Sequence, residues 1–179
     1  MGSAFEPKLW VLRVVFLALV AAVLIVALLP LSVAAPRIPG PDVVLCVILA
    51  WVLRRPDVLP VTLIVAVVLV EDFLFQRPPG LWTLLVLVGS EVMRRQAYRE
   101  GETPIAVEFG LVAATLTAMT VAERVLLAIA LVPQPAFSAQ MLHLLSTLAI
   151  YPVVVLASVY LCGVRPRPTD GPRILGMRV

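Results

Sequence analysis

Charge is scarce in this chain: Asp, Glu, Lys and Arg make up 14% of its 179 residues, against about a quarter in a soluble domain. Too few polar groups remain to clothe a surface facing water. Histidine occurs once, as His143, which rules out paired-histidine metal sites and the HExxH zinc motif. The two cysteines, Cys46 and Cys162, have no partner spacing for zinc or for a redox motif. Both sit in apolar runs and are expected to be small buried hydrophobes. No Gly-rich loop follows a strand pattern, and no nucleophile elbow accompanies a Ser, His and Asp order. Aromatic residues reach only 7%, few for lining a ligand pocket.

Apolar residues, in contrast, fill 61% of the chain, with a mean hydropathy of +1.05. Such a composition belongs in a bilayer, with room for about six crossings of ~20 residues each. The fold expected is an all-α integral membrane bundle of six transmembrane helices, at about 14–35, 38–53, 58–75, 80–98, 104–132 and 137–164. These form one polytopic domain, 1–164, followed by a basic tail, 165–179. The net charge of +3 sits in short loops between apolar runs. That is a topology signature and not a nucleic-acid stripe. Neither a nucleic-acid partner nor a cofactor is expected.

Basic residues flanking a span are retained in the cytoplasm. With the N-terminus inside, cytoplasmic ends hold Lys8, Arg13, Arg54, Arg55, Arg94, Arg95, Arg99, Arg165, Arg167, Arg173 and Arg178. External loops hold Arg37 and Arg77, and Arg124 lies within a helix. Both termini are therefore expected to be cytoplasmic. The first run also has a rival reading as a cleaved signal peptide, with Lys8 and Arg13 leading and Ser32-Val33-Ala34 as the cleavage site. Its core from Val14 to Leu29 is long for that role and further spans follow, so a crossing is expected.

The second run, Val43 to Leu53, is short for a hydrocarbon core of ~30 Å. The preceding link must complete it, or protein must fill the deficit. Trp51 is expected at the inner interface, where indole rings settle. The third run places Pro60 in its first turn, where proline does least harm, and ends at two adjacent acids, Glu71 and Asp72. Glu91 and Arg95, four apart, are spaced to pair. The Arg94, Arg95 and Arg99 cluster is placed to attract anionic lipid head groups, or else an acidic partner.

Ionisable groups inside a membrane need partners and suggest function. Glu108, one turn inside Pro104, is expected at the cytoplasmic interface. For Arg124 two readings stay open, a pairing with Glu71 or Asp72 and snorkelling to the external interface. His143, beside Gln140 and Thr147, is expected to hydrogen-bond between helices. With no second acidic pair or serine dyad, intramembrane catalysis is not expected. Small residues allow helices to approach closely, and the fifth run supplies Gly110, Ala113, Ala114 and Ala118.

Several residues together carry a family likeness. Pro41-Asp42 opens the second run, which ends Trp51-Val52-Leu53-Arg54-Arg55-Pro56. Asp72 stands near the end of the third run, before the turn Arg77-Pro78-Pro79-Gly80-Leu81, and Pro152 interrupts the last helix. In this pattern, from Trp10 to Val164, the chain resembles the rod shape-determining MreD family. The Arg-Pro-Pro-Gly-Leu-Trp form is similar to its alphaproteobacterial type. Where relatives often carry glycines flanking the acid, this chain has Val70 and Phe75.

The resemblance implies a non-enzymatic scaffold in the bacterial inner membrane. Its partners would be MreC, then RodA and an elongation transpeptidase of the penicillin-binding type, with MreB beneath and membrane lipids around it. Structural or partner-binding roles would fall to Asp42, Glu71, Asp72, Arg77, Pro79, Gly80, Glu108, Arg124 and Pro152. The family likeness also implies a fold similar to substrate-binding subunits of vitamin transporters. The alternative function is therefore a small-molecule-binding subunit, with Glu71, Asp72 and Arg124 lining an outward pocket.

Overall fold

A twelve-residue helix with no polar face has nowhere to go but the interior, and that helix organises the fold. The computed structural model describes residues 7–29, 40–100 and 104–164. They form six helices: α1 (Pro7–Leu28), α2 (Val43–Arg54), α3 (Val61–Leu74), α4 (Leu81–Glu100), α5 (Ile105–Ile129) and α6 (Phe137–Cys162). No strand occurs among the described residues. Three helices, α1, α5 and α6, are long and apolar enough to cross a membrane. The expected stretch 30–35 with Pro30 and Ser32, the link 36–39, the loop 101–103 and the tail 165–179 lie outside the described residues.

α2 is buried from Val44 through Arg54. It packs chiefly against α6 and α4, with α1 lying on it more lightly. α3 packs on α4, α4 on α5, and α5 on α6. Asp42 starts α2 as its N-cap, Oδ1 accepting from the Leu45 N–H at 2.8 Å. Its own N–H donates to Thr147 Oγ1 of α6 at 3.0 Å. The Cys46 thiol, buried as expected, donates to the Thr147 carbonyl at 3.4 Å. Cys162 is only partly buried.

Trp51 corrects its expected place. It is fully buried, with Nε1 donating to Ser158 Oγ of α6 at 3.1 Å and its ring 5.5 Å from Phe16 of α1. The reason is packing: α2 is enclosed by other helices along its whole length, so the indole meets protein on every side.

Helix ends also move from their expected positions. α1 begins at Pro7 and not at 14, because proline at a first helical position is already set for the helix and Lys8 to Arg13 contain nothing that breaks one. α3 begins at Val61, with Pro60 as its N-cap and not in its first turn. Val58 and Leu59 precede it as buried link, and arginines satisfy that link's carbonyls. Arg13 Nε donates to the Val58 oxygen at 3.1 Å. Arg94 donates to the Pro56 and Leu59 oxygens at 2.6 and 2.7 Å. Arg94 thus faces inward, which corrects its expected membership of a lipid-facing cluster, while Arg95 is exposed and lies 3.7 Å from Glu91.

The close approach of α4 to α5 is made by Gly89. A Cβ there would stand 2.7 Å from Met119 Sδ and 3.2 Å from Thr115 Cγ2. Gly110, Ala114 and Ala118 lie on the exposed side of α5, and nothing stands within 4 Å of a Cβ built on Gly110. Gly89→Leu is expected to destabilise the bundle by about 1–3 kcal/mol through overpacking. Gly89→Ala should be milder, because the flexible Met119 thioether can swing aside. Thermal unfolding of both variants in mild detergent checks the order.

Candidate functional site

α3 ends where its chain reverses. Gln76 adopts φ +53, and Arg77 N–H bonds back to the Asp72 carbonyl at 2.9 Å while Gln76 N–H bonds to the Phe73 carbonyl at 3.3 Å. That is a Schellman closure. Gly80, at φ +90, then feeds the chain into α4, a conformation that a side chain would strain. Pro79 is exposed at the tip of this turn.

Gly80 has no side chain to cap α4, and Asp72 supplies the missing group from the neighbouring helix. Its Oδ2 accepts from Gly80 N–H at 3.0 Å, Thr83 N–H at 3.3 Å and Thr83 Oγ1 at 2.8 Å. The carboxylate is fully buried and sits where the helix dipole favours negative charge. Beside it, Glu71 is buried with Oε1 3.9 Å from Arg77 Nη1. The Arg77 guanidinium is held between rings, 5.6 Å from Phe75 and 5.3 Å from Trp82.

Arg77 and His143 of α6 are shared by two cavities at this end of the bundle. One, of about 430 Å³, is lined in part by Asp42, Glu71, Phe75 and Leu24. The other, of about 210 Å³, takes in Trp82, Thr120, Glu123 and Gln140. Arg124 meets neither Glu71 nor Asp72. Its Nη1 donates to Gln140 Oε1 at 2.6 Å and its guanidinium lies 5.3 Å from the Phe137 ring. The helix order explains this: α4 stands between α3, which carries the two acids, and α5, which carries Arg124.

At the opposite end of α2 lies a second polar assembly. Arg54 donates from Nη1 and Nη2 to Glu108 Oε1 and Oε2 at 2.7 and 2.8 Å, a bidentate pair. Tyr151 of α6 donates its hydroxyl to Glu108 Oε1 at 2.6 Å. All three residues are buried. Glu108 is therefore an interior group joining α2, α5 and α6, not an interfacial one as expected. Arg54 and Tyr151 had no such role in the sequence reading. The signal was there in part: an apolar run too short to cross, ending in arginine, must find that arginine a carboxylate. Pro152 follows Tyr151 within α6 and is exposed. It removes the N–H that would otherwise bond to the Leu148 carbonyl.

Chemically, both assemblies position helices. Asp72 accepts from backbone donors and a hydroxyl, and Glu108 from a guanidinium and a hydroxyl. Among the described residues, no group of three or more His, Cys, Asp or Glu is arranged to hold a metal ion. The chain matches no protein-family model, and neither a curated protein sequence nor a solved structure is detectably similar to it.

Proposed function

We propose that the chain is a non-enzymatic scaffold of the bacterial inner membrane, crossing it six times with both termini inside and serving cell elongation. Its direct partner would be MreC, with RodA, the elongation transpeptidase and MreB reached through it. The observation that carries this reading is where the polar groups are used. Asp72, Glu108, Arg54 and Arg94 hold helices and links to one another, while the side of α5 with Gly110, Ala114 and Ala118 is left open. Small residues at that spacing let a partner's helix approach closely. The orientation rests on the basic residues, eleven of fourteen of which fall at ends assigned to the cytoplasm. The short α2 crosses as part of a bundle because neighbours surround it, so no lipid need thin to meet it.

The second reading is a small-molecule-binding subunit of a vitamin-type transporter, and the cavity between Asp42, Glu71, Arg77 and His143 favours it. Affinity purification from mildly solubilised cells, followed by mass spectrometry of proteins and metabolites, separates the two. Recovery of MreC with elongation synthases is the expected result, weakened in a Gly110→Leu, Ala114→Leu variant. Recovery of ATPase subunits or a stoichiometric metabolite instead would replace the scaffold by the transporter subunit.

A further inference from the structure

The 430 Å³ cavity does not stand alone. Leu24 of α1 lines it and also lines an apolar groove of about 270 Å³ between α1 and α3, whose walls include Leu17, Val20, Ala21, Ala66 and Val67. Leu17 and Val70 on the groove's rim are exposed. From Ala27 at the cavity to Leu17 in the groove α1 rises about 15 Å. A polar chamber and an apolar groove on the outside of the bundle thus adjoin at Leu24. That is the outline of an amphiphile with one acyl chain seated.

The chamber's chemistry specifies the head. Asp42 is buried and uses Oδ1 on the Leu45 N–H, while Oδ2 is buried with no hydrogen-bond partner. Glu71 supplies a second buried carboxylate. A primary ammonium, with three donors, suits an unpaired carboxylate oxygen and its neighbour. Arg77, fixed between Phe75 and Trp82, also has a buried Nη1 without a hydrogen-bond partner, and guanidinium is the usual recogniser of phosphate. An anionic head would set two carboxylates against its charge, and a choline head would bring no N–H to donate.

We propose that this chamber and groove bind an aminophospholipid of the ethanolamine type, its ammonium on Asp42 and Glu71, its phosphate on Arg77 and one acyl chain between α1 and α3. The proposal rests on the membrane placement of the chain but on no protein partner, so lipid retention and MreC capture succeed or fail separately.

The test is native mass spectrometry of the protein released from vesicles of phosphatidylethanolamine, phosphatidylglycerol and phosphatidylcholine in equal parts. One phosphatidylethanolamine per chain should persist at collision energies that strip the other two. Asp42→Asn keeps a capping side chain and should reduce retention by about tenfold or more, the effect of losing one charge-assisted bond. Leu24→Trp, filling the groove at its junction with the chamber, should do the same without touching a polar group. Equal retention of the three lipids, or retention unchanged in both variants, overturns the proposal. So does displacement of the lipid by soluble phosphoethanolamine at equal concentration, which would show that the groove contributes nothing.

Discussion

Replacing Glu108 with alanine is expected to destabilise the bundle by about 3–5 kcal/mol, because it strands a buried guanidinium and a buried phenol. The acid holds Arg54 through two bonds and Tyr151 through a third, so three helices lose their common acceptor at once. Arg54→Lys should fall short of wild type too, since an ammonium cannot reproduce the bidentate fork. The informative contrast is the triple change Arg54→Met, Glu108→Leu, Tyr151→Phe. With the whole polar set removed, stability should return to near or above that of the wild type. Denaturant titration in detergent reads all three variants. A triple variant as weak as Glu108→Ala would mean that the assembly contributes more than charge compensation.

Asp72→Ala should rank second, at about 2–4 kcal/mol, from the loss of a helix cap together with buried donors left unsatisfied. Two N–H groups and a hydroxyl converge on one oxygen of this residue. The damage should be local, a fraying of the first turn of α4 seen as faster amide exchange at Leu81 to Thr83. Asp72→Asn, keeping an acceptor oxygen, should recover part of it. If the turn from Arg77 to Trp82 also anchors MreC, capture of that partner should fall with the same variant. An Asp72→Ala protein that inserts normally and still recovers MreC in full would remove the turn from the docking surface.

Much of the architecture was legible because its cause is local. Runs of apolar residues bounded by Pro, Gly and Arg mark all six helices, and the turn after Asp72 announces itself in Pro78-Pro79-Gly80. What was not legible depends on which helix ends up inside. Apolar periodicity separates a buried face from an exposed one, yet here both sides of most helices are apolar, whether they face protein or the surroundings. So only the shortness of its run hinted at the burial of α2, and the places of Trp51 and Arg54 left no periodic pattern to read. Glu108 looked interfacial from its distance to Pro104 alone. Its partners lie 54 and 43 residues away along the chain, a separation no spacing rule spans. For Arg124 two readings stayed open for the same reason, since only the order of packing puts α4 between it and the acids of α3.

The separation between Arg54 and Glu108 also has a meaning in time. A ribosome adds about 5–20 residues per second, so Arg54 is made roughly 3–10 s before the acid that neutralises it, and Tyr151 follows later still. During that interval α2 carries a cation without its acid and lacks two of the helices that later enclose it. Its final seat must wait until α5 and α6 arrive around it. The most deeply buried helix of the bundle is among the first synthesised, yet its charged end is matched only when α5 arrives.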